Sequence, residues 1–272
     1  MTRVAGIQMA SGPNVSANLM EVDRLIALAV ADGAELVVLP ENFALVEWDC
    51  KGQLAIRESE GEGPIQDFLS AQASKHGIWL VGGTLPLRTQ NSEKVNAAVL
   101  VFDDRGVCVA RYNKMHLFDV HVAESNEDFH ESSVFVAGQS PVVLETPFGK
   151  MGLAVCYDLR FPELFRHMLQ QGVELIALPA AFTAVTGKAH WEVLVRARAI
   201  ENLCYVVASA QGGYHACGRE THGNTMIVDP WGTLIDHLAK GSGVVCGDID
   251  RDRVTQIRDS FPVTQHQNPA LQ

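Results

Sequence analysis

The chain has 272 residues, 47% of them hydrophobic, and a net charge of −11. That is enough apolar material for one large core, and the acidic balance argues against nucleic acid as a partner. No apolar run is long enough for a membrane-spanning helix, and the first residues enter a strand pattern with no basic-then-apolar leader, so a cytoplasmic protein with no membrane partner is expected.

Six cysteines are scattered without a C-x-x-C pair or a zinc-type spacing, which predicts free thiols, a reducing compartment and neither metal nor cofactor. Val4 to Met9 reads as a buried strand. Asn14 or Ser16 can cap a helix that keeps Leu19, Val22, Ile26 and Val30 on one face and stops at Asp32-Gly33. Glu35 to Leu39 is apolar enough for a strand covered on both faces, and Pro40-Glu41-Asn42 follows at once. Trp48 to Gly63 reads as a loop or a short surface helix, Pro64 to His76 as a helix, and Ile78 to Thr84 as a strand.

Asn96 to Phe102 and Val107 to Tyr112 flank Asp103-Asp104-Arg105-Gly106, a hairpin signal, with Lys114 just beyond the second arm. Asp119 to Ser133 is acidic and aperiodic and reads as a long loop. Met151 to Val155 is a strand, and Pro162-Glu163 suits the first turn of a helix ending at Gly172. Further on come a strand over Glu174 to Leu178, a helix over Ala189 to Glu201 and a strand over Tyr205 to Ala210. A second hairpin, Asn224 to Val228 with Thr233 to His237, turns at Asp229-Pro-Trp-Gly232. Val244 to Ile249 is the last strand, Arg251 to Asp259 a short helix, and residues 261–272 a tail without its own core.

Ala34-Glu-Leu-Val-Val-Leu-Pro-Glu-Asn-Phe43 is similar to Val173-Glu-Leu-Ile-Ala-Leu-Pro-Ala-Ala-Phe182, and each half carries one hairpin. Duplication of one sheet-and-helix layer pair explains both better than chance likeness of two buried strands. In that alignment Glu41 falls opposite Ala180, so its charge asks for a role beyond packing.

Three chemically complementary residues occupy expected strand ends: Glu41, Lys114 and Cys156. A cysteine is ordinarily a small buried hydrophobe. At a strand-to-helix joint the helix end can instead lower its pKa and make a thiolate. A carboxylate can move protons and a lysine can hold an oxyanion. Singly, Glu41 reads as a helix-start residue and Lys114 as a solvated loop end. Together they read as a catalytic set.

Three blocks carry a resemblance: Leu39-Pro-Glu41-Asn-Phe, Arg111-Tyr-Asn-Lys114-Met-His-Leu-Phe-Asp, and Gly152-Leu-Ala-Val-Cys156-Tyr-Asp-Leu-Arg-Phe-Pro-Glu163. On them the chain resembles the nitrilase superfamily, the carbon–nitrogen hydrolases with a Glu-Lys-Cys triad, from Val4 to about Pro262. The resemblance implies an α/β fold, a four-layer αββα sandwich with an internal pseudo-twofold repeat, forming a single domain over residues 1–272 that assembles as a homodimer or larger homo-oligomer. It implies that Glu41, Lys114 and Cys156 are catalytic and that Glu131 positions the lysine. Tyr157, Arg160 and Phe182 are implied as oxyanion or substrate contacts.

The stretches Phe182 to Leu194 and Arg196-Ala-Arg-Ala-Ile-Glu201 resemble the branch that holds deaminated-glutathione amidase and ω-amidase. That branch implies a small linear amide as substrate, cleaved to 2-oxoglutarate through a cysteine thioester. A catalytically idle binding member of the fold is the alternative from another class. Arg160 or Lys188 could meet a substrate carboxylate. Thr221-His-Gly223-Asn224-Thr225 departs from the Gly-His-Ser step common in relatives.

Overall fold

The computed structural model describes residues 1–48, 50–124 and 126–266. The first half holds β1 (Thr2–Gln8), α1 (Val15–Ala31), β2 (Leu36–Val38), α2 (Gly52–Ala55), α3 (Pro64–His76), β3 (Trp79–Val81), β4 (Leu85–Arg88), β5 (Val95–Phe102), β6 (Cys108–Asn113), β7 (Asp119–Val122) and β8 (Glu127–His130). The second holds β9 (Val142–Thr146), β10 (Gly149–Leu153), α4 (Pro162–Gln170), β11 (Leu175–Ala180), α5 (Ala184–Asn202), β12 (Tyr205–Ala210), β13 (Gly212–Tyr214), β14 (Glu220–His222), β15 (Thr225–Val228), β16 (Leu234–Leu238), β17 (Gly243–Ile249) and α6 (Arg251–Ser260).

Two sheets result. One runs β17-β1-β2-β3-β5-β4 with β6 also on β5, the other β16-β15-β12-β11-β10-β9. Each has three parallel strands at its centre, β1-β2-β3 or β10-β11-β12, flanked by antiparallel neighbours. The alternation of side chains along a strand sets the layers. Val4, Leu36, Val38 and Val81 join the core of the second sheet, whereas Ala5, Ile7, Val37, Leu39 and Leu80 pack with Val22, Leu25, Ile26, Leu69 and Ala73 of α1 and α3. The outer face of the second sheet takes Phe165, Met168, Trp191, Val195 and Ala199 from α4 and α5. The order is helices, sheet, sheet, helices, the expected αββα sandwich. The sheets approach closely at Gly6, where a Cβ would stand 3.0 Å from Cγ2 of Thr225.

The pseudo-twofold repeat is visible in hydrogen bonds as well as in strand order. At the first hairpin Oδ1 of Asp103 accepts from the N–H groups of Arg105 and Val107 at 3.0 and 2.9 Å. At the second, Oδ1 of Asp229 accepts from Trp231 and Thr233 at 2.9 and 2.8 Å. Gly106 and Gly232 close the two turns at φ +79° and +84°.

Several local expectations needed correction. Asn14, not Ser16, caps α1, accepting from Ala17 N–H at 2.9 Å. The helix expected from Ala189 begins a turn and a half earlier at Ala184, because Thr183 accepts from Thr186 N–H and caps it there. Asp119 to Ser133 is not an open loop. β7 and β8 pair within it, and residues 131–133 form a 3-10 turn. β4 and β9 carried too little apolar alternation to be seen. Of the tail, Phe261 stands edge-on to Trp231 at 5.4 Å between ring centroids, and residues 267–272 lie outside the described residues. Among the described residues no helix is long and apolar enough to cross a membrane.

Candidate active site

Both central triplets of parallel strands end at one crevice, where an α/β fold presents its loops. β2 runs out at Leu39-Pro40 and places Glu41 there. Asn42 follows with φ +54°, which its short polar side chain tolerates, and its N–H is taken by Oγ1 of Thr84 at 2.8 Å. Gln211, at the end of β12, reaches across from the other half and donates to the Glu41 carbonyl at 3.0 Å. Glu41 is thus fixed from both halves.

β10 ends at Leu153, and Cys156 opens a 3-10 turn, Cys156–Arg160, ahead of α4. Cys156 has φ +47°, a strained conformation for a non-glycine residue. The turn is held by Asp158, which is fully buried. Its Oδ2 accepts from Val155 N–H at 2.8 Å and Tyr112 O–H at 2.7 Å, and its Oδ1 from His116 N–H at 3.0 Å, with His116 Nδ1 at 2.7 Å. Arg198 adds a second tie from α5, donating through Nε and Nη2 to Leu159 O at 3.0 and 2.8 Å. Asp158 therefore joins the turn that opens at Cys156 to the segment that carries Lys114, a link invisible in the sequence because Asp158 lies 46 and 42 residues from Tyr112 and His116.

Lys114 is 2% exposed and is held between two carboxylates. Nζ lies 2.9 Å from Oε1 of Glu41 and 2.8 Å from both carboxylate oxygens of Glu131. Glu131 Oε2 also accepts from Phe118 N–H at 2.6 Å. Burial would discharge an isolated lysine, but the Glu131 and Glu41 carboxylates hold Lys114 protonated, well above its ordinary pKa. Burial also raises Glu131 above the usual carboxylate range, against the pull of Lys114 and with a contribution from Glu41.

Cys156 corrects an expectation. The helix end was expected to lower its pKa. Instead burial pushes the thiol well above its ordinary value and the Glu41 charge adds to that, while Lys114 and an Ala181 backbone bond pull down. At neutral pH the resting group is a neutral thiol beside a carboxylate.

The pocket over these groups encloses about 90 Å³. It brings together Glu41, Lys114, Glu131, Cys156, Tyr157, Arg160 and Phe182, all expected from the sequence. Arg160 is half-buried, with its guanidinium carbon 5.2 Å from the Phe182 ring centroid and 5.9 Å from that of Tyr157. Nη1 lies 3.2 Å from His190 Nδ1, and among the described residues no carboxylate pairs with it. Lys188, the other candidate, is exposed and does not line the pocket.

The sequence offers Asp119 to Ser133 and Gln211 to Gly223 as walls of a leaving-group channel, and Phe129, Arg219 and Thr221 of those stretches do line the pocket, though none is singled out by it; Cys50 and Phe118 carry no sequence signal. Arg219 was the most findable, as the cation of the glycine-bearing Cys217-Gly-Arg219 turn. Burial pushes the Cys50 thiol up to about 11, with the Glu131 charge contributing. The departing stretch at Thr225 keeps a structural hydroxyl, since Oγ1 accepts from Ala210 N–H at 2.9 Å. Among the described residues no three His, Cys, Asp or Glu side chains are gathered as a metal ion would require.

Comparison with known proteins agrees with this geometry. The family model Carbon-nitrogen hydrolase matches residues 3–259. The chain is 43% identical to the deaminated glutathione amidase of Synechocystis over 268 residues, 96% of each chain. It is 40% identical to the human protein of that name over 277 residues, 98% of this chain and 83% of the relative. Among solved structures, the Caenorhabditis elegans NitFhit protein superposes with a TM-score of 0.89 at 35% identity, covering 100% of this chain and 66% of that one.

Proposed function

This chain belongs to the carbon–nitrogen hydrolase family, and from that premise we propose that it is an amidase that cleaves deaminated glutathione to 2-oxoglutarate and cysteinylglycine through a thioester on Cys156. The observation that carries the chemistry is the buried Lys114 clamped between Glu41 and Glu131 in the pocket that Cys156 also lines. The substrate reading draws on the names of the relatives and on Arg160 at the pocket wall with no carboxylate partner among the described residues.

Because the thiol is neutral at rest, Glu41 must take its proton as the sulfur attacks the amide carbon. The carbonyl oxygen becomes an oxyanion between the Lys114 ammonium and the backbone N–H of Tyr157. A low-dielectric site makes both interactions stronger than in water. When the tetrahedral intermediate collapses, Glu41 returns the proton to the amide nitrogen and the amine leaves, with the acyl group bound to sulfur. Water then loses a proton to Glu41 as it adds to the thioester, and Glu41 reprotonates the departing sulfur. One carboxylate serves both halves of the reaction, and Glu131 keeps Lys114 oriented throughout. Arg160 takes the 2-oxo acid carboxylate. The reading extends to a homodimer or larger homo-oligomer, for which the exposed Val193 and Ile200 on α5 are suited as contacts.

The test is a parallel assay of 2-oxoglutarate release from deaminated glutathione and 2-oxoglutaramate. The expected kcat/KM ratio is at least ~10 in favour of the former, about 1.4 kcal/mol of transition-state binding by the leaving group. Equal rates, or preference for the smaller amide, would reassign the chain to ω-amidase chemistry. Hydrolysis of neither would refute the substrate.

A further inference from the structure

Beside the catalytic pocket lies a second cavity of about 420 Å³, lined in part by Trp48, Asn126, Phe129, His130 and Arg219. Phe129, His130 and Arg219 line both spaces, so the two adjoin. Arg219 stands at the boundary. Its guanidinium carbon is 5.3 Å from the Phe129 ring centroid, a cation–π contact that does not use its N–H donors. Among the described residues no carboxylate is ion-paired with it, although Glu220 is its chain neighbour and pairs instead with Lys240 at 3.3 Å.

Among the described residues the carboxylates on the cavity wall are Glu127 and Asp128, and Asp128 lies 2.9 Å from His121 Nδ1.

Arg219 is also firmly placed. Its carbonyl accepts from His215 N–H at 2.9 Å. Thr221, two residues on, is buried and faces the catalytic pocket. His215 Nδ1 lies 2.8 Å from the carbonyl of Ser11, which can only accept, so that nitrogen carries the proton. Nε2 must then accept from the Thr221 hydroxyl, 2.8 Å away. Burial lowers the His215 pKa and keeps the ring neutral. The hydroxyl proton of Thr221 is therefore spoken for, and toward the pocket Oγ1 offers lone pairs alone. One edge of the pocket thus presents an acceptor suited to an N–H, followed by a guanidinium that has no carboxylate partner among the described residues.

The geometry points to the β13–β14 ribbon as the leaving-group subsite, with Arg219 receiving the terminal carboxylate of cysteinylglycine in the second cavity and Thr221 accepting from an N–H nearer the scissile bond. The inference rests on the substrate reading above. Two residues of extended chain reach about 7 Å beyond the scissile nitrogen, so the leaving group needs room that the catalytic pocket alone does not offer. The acyl and leaving parts each end in a carboxylate, and the site offers Arg160 beside Cys156 and Arg219 beyond it, neither paired with a carboxylate among the described residues.

The experiment is a cycle of substrate against protein. Wild type, Arg219→Gln and Arg219→Lys are assayed on deaminated glutathione and on the same compound with its glycine carboxylate converted to a carboxamide. Wild type should favour the carboxylate by at least ~10-fold in kcat/KM, the scale of one lost charged contact. Arg219→Gln should treat the two substrates alike, and Arg219→Lys should restore part of the preference. If Arg219→Gln lowers both substrates by one common factor, or wild type does not distinguish them, the subsite is refuted and the amidase reading stands. A wild type inert on both overturns the substrate reading and the subsite with it.

Discussion

Asp158→Asn is the sharpest probe of how this site is held. The two side chains have the same shape, so the change alters hydrogen bonding and charge alone. Asp158 is fully buried and serves four donors with two oxygens, two of those donors coming from the half-buried His116. The asparagine amide must replace one oxygen. Turned one way its NH2 faces the Val155 N–H, and turned the other it faces the His116 N–H. Tyr112 and the imidazole can rearrange to accept, but a backbone amide cannot, so one buried N–H is left without an acceptor in either orientation.

That omission costs about 1–3 kcal/mol, and the remaining bonds weaken by roughly half as the acceptor loses its charge. Relief from burying an anion offsets part of this. The net expectation is a loss of about 2–4 kcal/mol by denaturant unfolding, and a fall of at least ~10-fold in kcat/KM, because Val155 immediately precedes Cys156 and His116 lies two residues from Lys114. Unfolding within about 0.5 kcal/mol of wild type, together with unchanged kcat/KM, would refute the role given to Asp158.

Cys156→Ala and Cys156→Ser should abolish turnover in a folded protein, and mass spectrometry of wild type quenched during turnover should find the acyl group on Cys156. An adduct on Cys50 or Cys204 would redirect the mechanism. Glu41→Gln and Lys114→Ala should each lower kcat by at least ~10²-fold, and a near-normal kcat in either would show the triad misassigned. Burial pushes the Cys204 thiol up to about 12. The folded state therefore holds a proton that the unfolded chain releases from about pH 9, and Cys204 subtracts up to about 1.4 kcal/mol of stability per pH unit between 9 and 12. The unfolding free energy of Cys204→Ala should decline less steeply than wild type over that window, and parallel curves would contradict it.

Much of this was legible in the sequence because local rules acted there without competition. The runs Leu36–Leu39 and Leu175–Leu178 are apolar on every residue, which only a strand covered on both faces can use, and the Asp-x-x-Gly hairpins carry their turn chemistry within four residues. Glu41, Lys114 and Cys156 could be read because each stands where a recognisable element stops. What the tertiary structure alone decided is what those groups experience. The Cys156 pKa is set by burial and by a carboxylate more than a hundred residues away in sequence, and these outweigh the helix-end effect that the local pattern suggested. The acidic stretch from Asp119 forms a ribbon because β7 finds its partner in β8, a pairing its composition does not signal. Arg219 gained meaning only when the fold set it over Phe129 with no ion-paired carboxylate among the described residues, since charge, dielectric and hydrogen-bond partnership depend on distances in space.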